Sequence, residues 1–383
     1  MKWVAWKMLT GDRTKYLGII FGIAFATLLM SQQVSIFVGI MGRTASQITD
    51  VRDAEIWVFD AKARFIDEVP PLTRMDLVRV RSAPGVEWAV PLYKGQVTCR
   101  LADGNFRSVI MFGLDDASLV GAPSEMIAGN LADLRLPGAV VVDKAGHGYM
   151  WPGEPIEIGR TFEINDRRAV LVGVCKVSPP FTTLPVLYTR YGEASGFVPH
   201  IRNLSNFILA KAREGESIEN VCKAIELRAN TENRQLVALS QQQFFWKTIR
   251  YFLGSTGIPV NFGITIALGF IVGVAIAGQT FYLFTVENLK QFGALKAMGV
   301  CNSRLIGMIL LQAGIVGTIG YGIGLGLTAA FFEVTAKIPH LAGLGLPWQV
   351  AAGVGGSVLV IVTIASLMSM RRVLVLEPAV VFR

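Results

Sequence analysis

Charge is scarce in this sequence. Asp, Glu, Lys and Arg make up 17% of its 383 residues, and hydrophobic residues make up 52%. Soluble domains carry about 25% charged residues, so an ordinary cytosolic enzyme is excluded. Disorder is excluded too, because it needs low hydrophobicity and high net charge. Histidine is nearly missing: His147, His200 and His340 lie far apart, and no H-E-x-x-H pair can form. No Gly-Lys pair occurs anywhere, which removes the Walker A phosphate loop, and no G-x-S-x-G elbow is found. His147, inside the Gly-flanked run 144–149, reads as a solvated loop histidine. The four cysteines, Cys99, Cys175, Cys222 and Cys301, show no framework spacing. A Cys99–Cys175 bridge stays open beside the plainer reading of both as small core residues, and Cys301 reads as a reduced thiol. Catalytic and metal-ligating constellations are not found, and the chain reads as a non-enzyme.

What the sequence has in excess is apolar residue, gathered in four runs at 16–40, 258–286, 305–332 and 348–370. About 20 apolar residues cross ~30 Å of hydrocarbon as a helix, and each run is long enough. The first run follows Lys2, Lys7, Arg13 and Lys15 as a signal peptide would. It is longer than a signal core and is followed by no A-x-A site, so it reads as a retained anchor. The runs contain Gln32, Gln33, Gln279 and Gln312 but no Asp, Glu, Lys, Arg or His. Ion-coupled pumps keep an ionisable group at membrane depth, so secondary transport is disfavoured. Gly269/Gly273, Gly320/Gly324 and Gly322/Gly326 have the small-xxx-small spacing that lets helices approach closely.

Charge placement predicts the topology. The amphipathic arm 1–15, the segment 287–304 and the tail 371–383 together hold ten basic residues and three acids, nearly all of the net +8. The short loop 333–347 is neutral through Glu333 and Lys337, and the insert 41–257 is close to neutral. Lys and Arg stay on the cytoplasmic side, so both termini and 287–304 are expected in the cytosol, with 41–257 and 333–347 outside. The isoelectric point near 9.4 then reports topology. A nucleic-acid footprint would need the basic residues clustered on one folded surface.

The fold class expected is a bundle of four transmembrane helices with a mixed α/β domain inserted between the first and second. Within the insert, strands are predicted at 55–59, 87–93, 97–101, 107–112, 139–142, 169–177, 185–188, 206–210 and 235–239. Helices are predicted at 73–81 and 217–230, the second opening on Ser217 as N-cap. Strand, helix and strand near the start recur near the end, which suggests one small α/β unit split by a β-rich middle at 94–202. The run 241–254 reads as a helical stalk continuing into the second span. Phe244, Phe245, Trp246 and Tyr251 within it could also form an interfacial aromatic belt.

The segment between spans two and three is the most specific. It contains QFGALKAMGV, with Phe292-Gly293, Leu295-Lys296-Ala297 and Gly299, and leads into a glycine-rich third span. This pattern resembles the signature of the MacB/FtsX/LolE family of ABC-transporter permeases. Gln291 stands where that signature has an acidic residue. The closing run of Arg371, Arg372, Leu374, Leu376, Glu377, Pro378 and Ala379 resembles the family's ending. The opening, Ala5 to Leu9 and then 17–26, is most similar to the DevC-type branch. The resemblance covers the whole chain.

It implies a homodimeric permease in a bacterial inner membrane, working on a separate cytosolic ABC ATPase that supplies the ATP chemistry, with no cofactor bound directly. Relatives of the DevC and MacB type are expected to pair with a periplasmic adaptor and an outer-membrane channel and to export lipid-like or small-molecule cargo by mechanotransmission. Lipoprotein release in the LolC/LolE manner and FtsX-like control of a cell-wall hydrolase are the alternatives. Membrane lipids are partners; nucleic acid is not. The implied ATPase contact is 287–304, with Phe292, Leu295 and Met298 as apolar knobs, Glu287, Lys290, Lys296 and Arg304 as charged partners, and Gly299 as part of the same segment.

Overall fold

The computed structural model describes residues 2–11, 13–231, 234–336, 338 and 343–375. His340, Lys337 and the closing motif's Leu376, Glu377, Pro378 and Ala379 lie outside the described residues, as does Arg383. The chain divides into two compact units, Met1–Gly39 with Gly257–Arg383, and Ile40–Thr256.

The first unit is helical: α1 (Lys2–Gly11), α2 (Arg13–Thr44), α9 (Ile258–Glu287), α10 (Leu289–Ala297), α11 (Asn302–Thr335) and α12 (Trp348–Val375), numbered along the whole chain. Among the described residues four helices are long and apolar enough to cross a membrane: α2, α9, α11 and α12. They run past the uncharged runs at several ends, because hydropathy marks the stretch in hydrocarbon and not the last hydrogen-bonded turn. Arg371 and Arg372 thus fall on the last turns of α12.

Glycine explains the packing. A methyl on Gly320 would lie 2.8 Å from Ile23 Cβ, and one on Gly324 2.5 Å from Thr27 Cβ. A methyl on Gly273 would lie 2.7 Å from Ala26 Cβ. These glycines let α11 and α9 press against α2. Gly322 and Gly326 have no described atom within 4 Å of such a methyl, so the same spacing there is not a helix contact within this unit. Ser31 and Thr328 hydroxyls bond at 2.6 Å across α2 and α11. Thr285 of α9 bonds Ser369 of α12, and Tyr321 donates to the Ala351 carbonyl at 2.8 Å.

The second unit carries α3 (Ser46–Asp50), α4 (Arg74–Arg81), α5 (Lys144–Met150), α6 (Tyr191–Phe197), α7 (Ile218–Ala229) and α8 (Gln241–Ser255). Its main sheet is built from β1 (Ile56–Asp60), β3 (Val86–Arg100), β4 (Phe106–Leu114), β5 (Glu125–Gly129), β6 (Ala139–Asp143), β7 (Thr161–Ile164), β8 (Arg167–Lys176), β9 (Val186–Arg190), β11 (Phe207–Ala212) and β12 (Leu236–Ser240). The short β2 (Leu72–Thr73) and β10 (Leu204–Ser205) pair with each other.

The split α/β unit is present. Strands β12, β1, β11 and β3 lie side by side in that order, all antiparallel, as in a split βαβ sheet. Side chains alternate across a strand: Ile56 and Val58 of β1 pack with Val80 of α4 and Ile225 of α7. Trp57 and Phe59 face the other way, onto Phe207 and Phe244. The order then continues β3, β4, β9, β6, β8, β5, with β7 pairing β3 and β8. The two strands expected at 87–93 and 97–101 are one strand, β3. Its first half pairs β11 and its second half pairs β4, so a single strand joins both halves of the unit.

Three expectations are corrected. The stalk does not continue into the second span: α8 ends at Ser255, Thr256 is extended, and α9 begins at Ile258. Pro259 explains the break, since it lacks an N–H and its ring would clash with the carbonyl four residues back. Phe244 is not part of an aromatic belt; it is fully buried, with its ring 4.4 Å from that of Phe59. Ser217 occupies the N-cap position of α7, but its side chain makes no cap bond there. Full side-chain boxes close α4 through Thr73 and Asp76 and α8 through Ser240 and Gln243.

Candidate functional site

Helix α10 is set off from its neighbours by its ends. Asn288 separates it from α9 and ties back to that helix through Nδ2, which donates to the Phe284 carbonyl at 2.8 Å. At the other end Gly299 has φ +87, a left-handed conformation that favours glycine. Its N–H donates to the Lys296 carbonyl at 3.0 Å, and the Val300 N–H donates to Leu295 at 3.1 Å. That crossed pair is a Schellman cap, with Leu295 and Val300 both packed on the same apolar cluster. The closing glycine of the motif therefore has a backbone reason: it stops the helix after nine residues and turns the chain into α11.

The predicted contact residues sort into three groups. Phe292 is fully buried with Ala5 of α1 and Leu305, Met308 and Ile309 of α11. It is an anchor beneath the helix and not a knob on its surface. Its replacement by alanine would cost about 3–5 kcal/mol. Glu287, at the end of α9, pairs with Lys15 at the start of α2. With the carboxylate half exposed, that pair contributes about 0–1 kcal/mol. Leu295 and Lys296 are half-buried, and Lys290, Met298 and Arg304 are exposed, Met298 at 73%.

Beside α10 runs a groove of about 690 Å³, walled on one side by Trp3, Val4, Lys7, Met8 and Gly11 of α1. Glu287, Asn288, Gln291, Ala294, Leu295 and Met298 form the other side. Met8, Ala294 and Leu295 make its lining apolar, and Trp3, 70% exposed, stands at its edge with Lys7 Nζ 5.7 Å from its ring centroid. Helix α1 is held in place by Ala5 and Leu9, both fully buried, and by Gln312, whose Nε2 donates to the Ala5 carbonyl at 2.8 Å. The sequence reading missed the α1 wall. Its signal was there in the helical spacing of Trp3, Lys7 and Gly11 beside Val4 and Met8. An apolar groove with exposed Met and Trp at its rim and charges of both signs suits a protein partner.

The groups singled out for chemistry lie elsewhere. His147 is not on a loop: it sits in α5, 5% exposed, with its ring 5.2 Å from that of Trp151. Burial lowers its pKa and the nearby Arg160 adds to this, while Glu154 opposes it. Cys99, Cys175 and Cys222 are free and buried, and Cys301 is free and exposed. A Cys99–Cys175 disulfide is thus absent: the two thiols belong to separate apolar clusters. Burial raises the Cys99 thiol to about 12. Among the described residues no cluster of three His, Cys, Asp or Glu could hold a metal ion.

Four apolar spans, an α/β domain between the first and second, and a capped amphipathic helix after the second define a polytopic membrane protein with an inserted head. Two sequence-family models match it: "MacB-like periplasmic core domain" over residues 16–227 and "FtsX-like permease C-terminal" over residues 245–378. The chain belongs to this MacB/FtsX family of ABC-transporter permeases. An uncharacterized ABC transporter permease of Methanocaldococcus jannaschii is 21% identical over 369 residues, 91% of this chain and 89% of the relative. One from Mycobacterium tuberculosis is 24% identical over 339 residues, 82% and 79% of the two chains. The solved periplasmic region of MacB from Actinobacillus actinomycetemcomitans is 14% identical with a TM-score of 0.39, covering 55% of this chain and 96% of that one.

Proposed function

We propose that this chain is the permease subunit of an ATP-driven exporter and acts as a mechanotransmitter. A separate cytosolic ABC ATPase binds and hydrolyses ATP; this subunit carries the resulting movement to a head outside the membrane. The observation that carries the proposal is the groove between α1 and α10, with Trp3 and Met298 exposed at its edges. Its apolar lining, Lys290 and Arg304 nearby and the stiff Schellman end of α10 suit a surface that a partner pushes on.

Charge placement supports cytosolic termini, a cytosolic α10 and a periplasmic head in a bacterial inner membrane. The family supports a second copy of the chain as partner. The opening residues support a DevC-type arrangement with a periplasmic adaptor, an outer-membrane channel and lipid-like or small-molecule cargo. Met298→Asp tests the proposal, because Met298 is exposed and the change leaves the core untouched. Affinity purification of the full chain from native membranes should recover its ATPase, and the variant should recover at least tenfold less at equal membrane insertion. Equal recovery would remove α10 as the contact.

A further inference from the structure

In the second unit, Lys94 on β3 has a side chain only 5% exposed and pairs with Asp67, which is 34% exposed. Buried ammonium groups are costly unless paired, and burial lowers the Lys94 pKa while Asp67 opposes the shift. Asp67 belongs to the loop between β1 and β2. That loop is tied a second time through Asn206, whose Oδ1 accepts the Lys94 N–H at 3.0 Å and whose Nδ2 donates to the Val69 carbonyl at 3.4 Å.

The same loop carries Phe65, stacked on Tyr251 of α8 at 4.6 Å and edge-on to Phe252 at 5.2 Å. A second loop, between β8 and β9, reaches the same helix from the β-rich half, with Phe181 5.1 Å from Phe252. This second loop is fastened at its base: Ser178 donates its N–H and hydroxyl to Asp50 at 2.9 and 2.8 Å. Between the two loops lies a cavity of about 140 Å³, lined by Ile66, Asp67, Lys94, Thr182, Leu184 and Asn206. At ~30 Å³ per water it has room to solvate the two charges should they part.

We infer that Lys94 and Asp67 are positioning residues for coupling: their ion pair latches the Phe65 loop onto α8, so that both halves of the head grip the helix that precedes the second span. The two grips differ in kind. Phe181 rides on a loop pinned by two hydrogen bonds from Ser178 to the Asp50 carboxylate, with no ion pair in the tie. Phe65 rides on one held by a buried ion pair beside a cavity, which is the tie built to open. With the latch closed, a displacement of α8 reaches the α/β half through Phe65. With it open, only the β-rich half follows. This inference rests on the reading that α8 carries movement.

The experiment is amide hydrogen exchange on the full chain in lipid nanodiscs, for wild type, Asp67→Ala, and Asp67→Ala with Lys94→Met. The double variant removes the unpaired buried lysine, so that a misfolded single variant does not decide the matter. Without nucleotide, exchange in 61–69 should be at least tenfold faster in the variants, with β1 unchanged; equal exchange overturns the latch. With the ATPase and a non-hydrolysable ATP analogue, wild type should respond in both 61–69 and 245–252, and the variants in 245–252 alone. A variant whose 61–69 still responds overturns the positioning role, which a merely structural loop would not reveal. A wild type silent in 245–252 counts against the permease reading instead, and the latch is then decided by the nucleotide-free arm.

Discussion

The side-chain amide of Gln312, in the third span, donates to the main-chain carbonyl of Ala5 at 2.8 Å, with both residues buried. A polar side chain at that depth on α11 thus has a plain use: it fastens the amino-terminal helix to a span. Helices α1 and α10 both rest on α11, through Ala5 and Phe292, and the groove between them has a fixed floor.

Gln312→Leu should loosen α1 without unfolding the bundle. A hydrogen bond between membrane helices contributes about 0.6 kcal/mol, so tryptic cleavage after Lys7 in membranes should speed up roughly threefold. An unchanged rate would show that the arm is held by packing alone.

Glycines with the same spacing should differ sharply. Gly324→Val pushes a side chain into Thr27 and the Ala24 carbonyl and should cost about 1–3 kcal/mol, as overpacking does. Gly326→Val meets nothing within 4 Å and should stay within about 0.5 kcal/mol, as unconstrained positions do. Thermal melting in detergent separates the two.

Thiol labelling should find one cysteine. Burial holds the Cys99 thiol near 12 and the Cys222 thiol near 11, so neither presents thiolate at pH 8, and Cys175 is raised as well. Cys301, exposed, should react with maleimide in inside-out vesicles and stay unlabelled in intact cells. Labelling in intact cells would invert the proposed topology.

His147 should give stability a pH slope. Its folded pKa lies below the ordinary 6.5, chiefly through burial. The unfolded chain therefore binds more protons between the depressed value and 6.5, and stability rises as pH climbs through that window. The melting temperature should increase from pH 5 to 7 in wild type and change less in His147→Gln. Parallel profiles would place the titration elsewhere.

Much of this fold is legible in the sequence. Uncharged runs announce spans by length alone, and the unbroken apolar run of β1 announces a strand buried on both faces. The recurrence of strand, helix and strand foretold the split unit, because local pattern survives where each element buries its own face. Contacts distant in sequence were hidden. Phe292 reads as a surface knob on α10 until α1 and α11 close over it, and Phe244 reads as interfacial until β1 supplies Trp57 and Phe59. His147 was misplaced because Gly146 and Gly148, inside a short helix, mimic a loop; Asp143 caps that helix by accepting the Gly146 N–H at 3.0 Å. The break before α9 was visible in Pro259, and the hydrophobic run around it masked the signal.

In the proposed function this subunit works through an ATPase seated on α1 and α10. ATP turnover should be measured in nanodiscs for the chain alone, the ATPase alone, both together, and both with Met298→Asp. No turnover above blank is expected for the chain alone, with a severalfold change in the ATPase's rate when the chain is added and loss of that change with the variant. Turnover by the chain alone, or an ATPase rate indifferent to both the chain and Met298, would contradict it.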